Sequence, residues 1–259
     1  MRIRAALGSV VWLSACCASG LNLSVPSAAA APATGVANSE PYYQMTPVHP
    51  VAELLPLALA ATPPHEAGPF READLVELQG LDSSIRLDIR YAGTRNFLGV
   101  ALYSQARAFL QRPAALALLR VQKSLAADGY GLLIHDAYRP WYVTKIFWDA
   151  TPVAQHGFVA DPAEGSRHNR GCAVDLTLYR LDTGKPVAMP SLYDEASERA
   201  YPSYRGGTAD QRRLRDLLRA RMEAEGYTVD DMEWWHFDYR DWNQYAIQNR
   251  RFEDLGTKP

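Results

Sequence analysis

A histidine and an aspartate lie seven residues apart, around a glycine, in the segment 166–175, which reads Ser-Arg-His-Asn-Arg-Gly-Cys-Ala-Val-Asp. If a strand begins at Ala173, Asp175 lies on the same face as Ala173, and the apolar residues between and after them pack on the other. Asp175 then points into a cavity, and Gly171 lets the chain turn so that His168 returns beside it. An imidazole and a carboxylate brought together in this way could bind a metal ion.

The segment 231–239, Asp-Met-Glu-Trp-Trp-His-Phe-Asp-Tyr, is dense in aromatic side chains that could exclude water around a metal. In a regular strand Glu233 and His236, three positions apart, would face opposite sides of the sheet. The two residues serve one site only if the chain turns or bulges between them, as strands often do beside active sites.

His168, Asp175 and His236 together supply two imidazoles and one carboxylate. This ligand set is typical of catalytic zinc sites, which leave a fourth position for water. Glu233 is then free to act as the base on that water. We predict one Zn²⁺ per chain. The residues alone leave an alternative open, because a histidine beside aromatic residues is often a hydrogen-bonded core or surface residue.

Two motifs give the chain a family resemblance. Residues 166–175 read S-x-H-x-x-G-x-A-x-D, and residues 233–236, some sixty positions later, read E-x-W-H. This pair resembles the motifs of the zinc D-Ala-D-Ala peptidases, the D-Ala-D-Ala metallopeptidase family. The resemblance covers the chain from about Leu75 to Arg250.

Within that family the chain looks like the zinc D-Ala-D-Ala dipeptidases of the vancomycin-resistance type. The features shared with this branch are the doubled tryptophan at 234–235, an Asp-x-Tyr-Arg-Pro segment at 136–140, and Asp88 and Tyr91 in an Asp-x-x-Tyr strand end. The resemblance implies an exported metalloprotease that hydrolyses the D-Ala-D-Ala dipeptide to free D-alanine in the bacterial cell envelope.

The resemblance also implies roles for single residues. His168, Asp175 and His236 match the zinc ligands, and Glu233 matches the catalytic base, which takes a proton from the attacking water and passes it to the leaving amine. Arg139 matches an arginine that stabilises the oxyanion of the tetrahedral intermediate. One well-placed donor in that role is worth roughly 3 kcal/mol or more.

Three residues match substrate-binding positions of the dipeptidases. Asp194 falls nineteen residues after Asp175, where the relatives place an aspartate that binds the free ammonium of the substrate. Tyr91 and Ser166 match residues that line the small pocket for the two alanines. Residues 189–194 read Met-Pro-Ser-Leu-Tyr-Asp in place of the usual Met-Gly-x-x-Phe-Asp, a departure that affects the shape of the amino-terminal subsite.

Two other functions fit the same motifs. One is a D,D-carboxypeptidase, or another peptidoglycan peptidase, that uses the same zinc site. The other is a non-catalytic zinc-bearing binding domain, like the related amino-terminal domain of hedgehog proteins. The presence of both Glu233 and Arg139 argues against a silent site, and a required free amine at Asp194 would separate a dipeptidase from a carboxypeptidase.

Hydrophobic periodicity and turn signals predict the elements that position these residues. Strands are predicted at 74–78, 85–91 and 130–135, and helices from Pro113 to Gly129 and from a Thr208/Gln211 capping box to Gly226. The elements are mixed without a regular βαβ alternation. We therefore predict an α+β fold, a single domain with a largely antiparallel central sheet flanked by helices, and the resemblance implies the hedgehog/D,D-peptidase-like version of it.

The first seventy residues lie outside this domain, which we place at 71–259. Residues 1–30 pass from cationic to apolar to small side chains, an order typical of a signal peptide; a lipoprotein signal that ends before Cys16 is the alternative. The apolar stretch is too short for a transmembrane helix, which needs about 20 residues. Residues 31–70 are rich in proline and alanine and indicate an arm or linker. The expected location is the periplasm, free or lipid-anchored.

The composition excludes other classes of protein. The 259 residues are 47% apolar and 22% charged, which is typical of a globular protein and not of a disordered one. The formal net charge is −2, and it becomes −4 without Arg2 and Arg4, because residues 1–30 contain no acidic residue. Without clustered Lys and Arg we predict no nucleic-acid partner. The predicted partner is the small dipeptide substrate.

Overall fold

The computed structural model of the protein describes residues 41–256. The predicted signal peptide at 1–30, the alternative lipid anchor at Cys16 and the first ten residues of the predicted arm at 31–70 lie outside the described residues. Between residues 41 and 256, no helix combines the length and the apolar character that crossing a bilayer requires.

Within residues 41–256 the chain forms seven strands and five α-helices. The strands are β1 (Leu75–Glu77), β2 (Arg86–Leu87), β3 (Phe109–Gln111), β4 (Tyr130–Asp136), β5 (Ala173–Arg180), β6 (Tyr227–Val229) and β7 (His236–Tyr239). The helices are α1 (Val51–Ala60), α2 (Leu78–Leu81), α3 (Arg112–Ala126), α4 (Trp141–Ala150) and α5 (Ala209–Ala224).

A five-stranded sheet in the order β2-β4-β5-β7-β6 forms the centre of the fold. β2 runs parallel to β4, and the other three pairings are antiparallel. A separate antiparallel pair joins β1 to β3. The mixed, largely antiparallel sheet with helices around it confirms the predicted α+β class.

The strands β4 and β5 are interior strands of the sheet, and nearly all of their residues are buried on both faces. All seven residues of β4 are buried, and in β5 the alternating Val174, Leu176 and Leu178 are completely buried. A strand covered on both sides is a rigid support, since its side chains are close-packed and its backbone is hydrogen-bonded along both edges. The predicted metal ligand Asp175 lies on this strand.

Helices α3 and α5 pack against each other and against strands of the central sheet. α3 begins with a proline in its first turn, as the sequence predicts, because proline lacks an N–H that would be unpaired there. α5 begins with the predicted capping box, in which the side chain and backbone of Thr208 pair with those of Gln211. α1 packs separately against α4.

The strand predicted at 85–91 is wrong in its length. Only Arg86 and Leu87 form a strand, and Tyr91 lies in a 3₁₀ turn, Arg90–Ala92. At the turn Asp88 binds Arg90 and Arg95 at 2.8 and 2.7 Å, and the contact with Arg95 is possible only because the chain turns after Asp88. The alternation that predicted a longer strand reflects the burial of apolar residues on both sides of this turn.

Candidate active site

Three side chains that could bind a metal come together from two neighbouring strands and one turn. β5 and β7 pair so that Asp175 lies directly opposite His236. The 3₁₀ turn Arg167–Arg170 precedes β5, and Gly171 after it has a φ of 70°, in the left-handed region that glycine adopts without strain. This reversal brings His168 beside Asp175, as the spacing predicts.

The three candidate ligand atoms lie within 3.2 Å of one another. Asp175 Oδ1 is 3.2 Å from His168 Nε2 and 3.0 Å from His236 Nδ1, and the two imidazole nitrogens are 3.1 Å apart. A tetrahedral ion with bonds of about 2.0–2.1 Å holds its ligand atoms about 3.3 Å apart. The spacing therefore fits an ion of the size of zinc between the three side chains.

The hydrogen bonds of the two imidazoles leave their inner nitrogens free to bind a metal. His168 Nδ1 donates to the carbonyl oxygen of Ala137 at 2.6 Å, and His236 Nε2 donates to Asp238 at 3.1 Å. The remaining nitrogen of each ring faces Asp175, and it carries a lone pair for a metal when the ring is in its neutral form. Partners of this kind orient metal-binding histidines and increase their basicity.

The pKa values of Asp175 and His236 are shifted in the directions that favour a positive charge beside Asp175. Burial opposes the ionisation of Asp175, but His168 and His236 outweigh it and hold the pKa of the carboxyl well below its usual value. Burial also opposes a charge on His236, yet Asp238 and Asp175 raise the pKa of this ring well above its usual value. The donor set therefore suits a cation.

Glu233 reaches the cluster because the chain turns just before β7. The backbone N–H of His236 donates to the Glu233 carbonyl oxygen at 3.2 Å, so the predicted turn between the two residues is present. The Glu233 carboxylate lies 4.0 Å from His236 Nδ1. Burial, reinforced by the charge of Asp175 and partly opposed by His236, raises the pKa of Glu233 to about 8. A pKa near neutrality suits a general acid or base.

Arg139 is a donor held in a fixed position at the edge of the cluster. Its Nε and one terminal nitrogen each lie 2.9 Å from the Asp136 carboxylate, and the guanidinium lies 4.7 Å from the centre of the Phe147 ring. The same terminal nitrogen is 3.8 Å from Asp175 Oδ2. Because its geometry is fixed on two sides, Arg139 can present N–H groups to an oxygen beside the metal ligands without reorganisation.

Asp194 has an uncommon backbone conformation and a carboxyl group with a strongly raised pKa. Its φ is 60°, the only positive value among the described residues other than glycine. Both carboxylate oxygens lie 3.1 Å from the Tyr91 hydroxyl. Burial, with the charges of Asp175 and Glu233, raises the pKa of Asp194 well above its usual value. A carboxyl in this state would be stabilised in its charged form by a cationic group of a ligand.

All eight residues predicted for the site line one cleft with a volume of about 490 Å³. They are Tyr91, Arg139, Ser166, His168, Asp175, Asp194, Glu233 and His236. The structure also gives Ser166 a local role, because its hydroxyl accepts the backbone N–H of His168 at 3.2 Å and caps the turn that carries this histidine. A cleft of this volume is within the range of roughly 300–1,000 Å³ that holds small-molecule ligands.

Sequence reasoning missed two residues that support the cluster. The Tyr193 hydroxyl donates to Asp175 Oδ2 at 2.8 Å, and the buried Asp136 accepts from Tyr103 at 2.8 Å while it holds Arg139. Asp136 opens the Asp-x-Tyr-Arg-Pro segment, and Tyr193 lies in the segment 189–194, directly before Asp194. The sequence therefore pointed to both positions, but it could not predict their contacts, because these join segments that are far apart in the chain.

Comparison with known proteins gives matches over the part of the chain that forms this site. Residues 71–255 match the model of a peptidase family described as D-Ala-D-Ala dipeptidase. The D-alanyl-D-alanine dipeptidase of Escherichia coli is 34% identical, over 69% of this chain and 91% of that protein. Those of Enterococcus faecium and Enterococcus faecalis are 35% and 36% identical, over 61% and 59% of this chain and 87% and 85% of theirs.

A solved structure of an LD-carboxypeptidase is similar at a TM-score of 0.36 and 18% sequence identity, over 73% of this chain and 82% of that one. A likeness of this size is too weak to support an inference about fold or function.

Proposed function

Because the chain belongs to the D-Ala-D-Ala dipeptidase family of metallopeptidases, we propose that it hydrolyses D-Ala-D-Ala to two molecules of D-alanine with one zinc ion. The metal proposal rests on the convergence of His168 Nε2, His236 Nδ1 and Asp175 Oδ1, whose outer partners leave only acceptor atoms facing one another. Two imidazoles and one carboxylate are the donor set of several catalytic zinc sites. A zinc ion there would polarise the scissile carbonyl and acidify water toward a pKa of about 7.

Glu233 is proposed as the proton carrier of the reaction. Its carboxylate lies beside His236 and keeps a quarter of its surface open to the cleft, so it can reach both the attacking water and the leaving nitrogen. Because burial raises its pKa, its ionised form is a stronger base than an ordinary carboxylate and can take the proton from water. Its protonated form can then give that proton to the departing amine. The two transfers leave Glu233 in its starting state.

Arg139 is proposed to donate to the carbonyl oxygen as negative charge develops on it. The guanidinium is held by Asp136 and Phe147 before substrate binds, so little reorganisation accompanies the reaction. A donor fixed in advance stabilises the transition state more than the ground state, and this difference increases the rate.

Asp194 and Tyr91 are proposed to bind the free amine of the substrate. The ammonium would find one carboxylate and one hydroxyl oxygen in contact with each other, in a part of the cleft where an uncompensated carboxylate is disfavoured. A buried charge pair of this kind selects strongly for a ligand that carries the complementary charge. Substrates with an extended or blocked amino terminus would be rejected, which makes the activity that of a dipeptidase.

Export to the periplasm, free or attached through lipid at Cys16, is proposed as the location. It is supported by the cationic, apolar and small-residue order of residues 1–30 and by Leu13-Ser14-Ala15-Cys16, which resembles a lipoprotein box.

The test is release of D-alanine from D-Ala-D-Ala by the purified protein. We expect turnover with zinc, loss of turnover after chelation and recovery when zinc is restored. Glu233→Gln should lower kcat by roughly 10²–10⁴-fold because the proton carrier is removed, while zinc content measured by mass spectrometry stays near one per chain. Full activity in the chelated protein or in Glu233→Gln would contradict the proposal.

A further inference from the structure

Part of the cleft wall comes from a segment that precedes the family match. Tyr43 and Met45 line the cleft, whereas the match to the dipeptidase family begins at residue 71. Both side chains are partly exposed, so they present surface to the space inside the cleft. We call residues 41–50 the wall segment.

The wall segment is attached to the domain by hydrogen bonds at two points. The backbone N–H of Met45 donates to the Phe97 carbonyl oxygen at 2.9 Å, and that of Val48 donates to the Ala150 carbonyl oxygen at 2.9 Å. Immediately after it, α1 buries Leu54 and packs against α4. The position of Met45 in the cleft is therefore fixed by the fold.

Met45, whose backbone N–H binds the Phe97 carbonyl oxygen, lines the same cleft as an aromatic cluster next to the proposed amine and oxyanion groups. The Phe147 ring centre lies 4.9 Å from that of Phe97 and 4.8 Å from that of Tyr91. Tyr91 contacts the proposed amine-binding Asp194, and the guanidinium of Arg139 lies over Phe147.

The amine and the scissile carbonyl of a dipeptide both belong to its amino-terminal residue. If the amine is bound at Asp194 and the carbonyl oxygen at Arg139, Tyr91 and Phe147 are the rings in contact with these two groups. Phe147 packs against Phe97, and the Phe97 carbonyl oxygen accepts from Met45. We therefore expect the side chain of that residue to face the part of the cleft wall that includes Met45. The whole cleft has a volume of about 490 Å³, which accommodates ligands larger than two alanines, so it has room for a side chain larger than methyl.

We propose that the wall segment, through Met45, completes a pocket for an apolar side chain larger than methyl on the amino-terminal residue of the substrate. The substrate class is then D,D-dipeptides with a free amine and an apolar amino-terminal residue, of which D-Ala-D-Ala is the smallest. This inference rests on the proposed function and extends it to substrate range.

The experiment compares kcat/KM for D-Ala-D-Ala, D-Leu-D-Ala and D-Ala-D-Leu in the zinc-loaded wild type, in Met45→Ala and in Val48→Ala. Val48 is a matched control because it belongs to the same segment but is 51% exposed and does not line the cleft. We expect the wild type to cleave D-Leu-D-Ala within tenfold of D-Ala-D-Ala. Met45→Ala should lower kcat/KM for D-Leu-D-Ala by roughly tenfold, the effect of removing a few methylene contacts, and should change that for the other two dipeptides less than threefold.

The outcomes separate this inference from the proposed function. If D-Ala-D-Ala is cleaved but D-Leu-D-Ala is at least a hundredfold poorer, or if Met45→Ala changes all three dipeptides equally, the pocket is refuted and the dipeptidase proposal stands. If Met45→Ala lowered kcat/KM for D-Ala-D-Leu alone, Met45 would contact the carboxy-terminal residue of the substrate. This result would also refute the proposed pocket. No turnover of any dipeptide would overturn the proposed function itself. Val48→Ala should match the wild type on all three.

Discussion

Asp194 is the residue that we propose to limit the length of the substrate. Its left-handed backbone turns the carboxylate toward Tyr91, and the surrounding acidic groups and burial oppose its negative charge. Non-glycine residues in this conformation are uncommon and often mark functional positions. The arrangement is costly without a bound cation and favourable with one, which is the property that a receptor for an ammonium group needs.

We predict that Asp194→Asn lowers kcat/KM for D-Ala-D-Ala by roughly 100-fold, because a buried ammonium would lose its charged partner. Asparagine tolerates the left-handed conformation, so the loop should keep its shape. The measurement is steady-state kinetics with D-Ala-D-Ala and N-acetyl-D-Ala-D-Ala, with the exposed Glu198→Gln on the same loop as the control. A wild type that cleaves the acetylated dipeptide as well as the free one would contradict the proposed role and favour a carboxypeptidase.

The sequence motifs predicted which residues form the site, and in the structure all eight of these residues line one cleft. The residues that support them were harder to predict. Tyr193 contacts Asp175 and Asp136 contacts Tyr103 across 18 and 33 positions of sequence, respectively. Such contacts have no fixed spacing, because they depend on how separate elements pack and not on the local geometry of a strand or helix.

The start of helix α5 is an example of a structural element that local sequence signals predict. The Thr208 hydroxyl accepts the Gln211 backbone N–H at 3.1 Å, and the Gln211 side chain accepts the Thr208 N–H at 2.8 Å. Both contacts lie within one helical turn, so the sequence alone predicted them. The strand predicted at 85–91 failed for the opposite reason, since the ion pairs of Asp88 at the turn are not encoded in hydrophobic alternation.

We predict that Thr208→Ala lowers the free energy of unfolding by about 1 kcal/mol, the usual cost of an unpaired N-terminal N–H group in a helix. Urea denaturation followed by circular dichroism gives the value. Thr208→Ser, which retains the hydroxyl, should remain within a few tenths of a kcal/mol of the wild type. Equal losses in the two variants would show that the methyl group and not the cap is responsible.

The stability of the whole molecule should depend on pH through a buried histidine on β4. His135 is almost completely buried, and its ring packs 4.8 Å from that of Tyr193. Burial, reinforced by Arg90, lowers its pKa to about 3. The unfolded chain binds a proton at this residue below a pH of about 6.5, whereas the folded chain does not until about pH 3. His135 therefore decreases stability as pH falls from 6.5 toward 3.

We predict that His135→Gln makes the free energy of unfolding less sensitive to pH. The contribution of this residue between pH 6.5 and 5 is about 2 kcal/mol, from 1.36 kcal/mol per pKa unit. Urea titrations of wild type and variant at both pH values measure the difference in slope, whatever the absolute stability of the variant. His49→Gln, at an exposed position, should retain the wild-type slope. An unchanged slope in His135→Gln would contradict the prediction, because it would show that His135 binds protons equally in the folded and unfolded chains.

The register of β5 and β7 has a consequence for how the sheet comes apart. β7 and the edge strand β6 are joined to the rest of the sheet through three pairs of facing residues, and the last of these pairs is Asp175 with His236. An ion bound by both side chains would cross-link the two strands at the end of this short ladder. Sliding β7 by one residue would turn His236 to the opposite face and expel the ion. Binding of an ion at this site and alignment of β7 with β5 would therefore be linked, and each would stabilise the other by the same free energy.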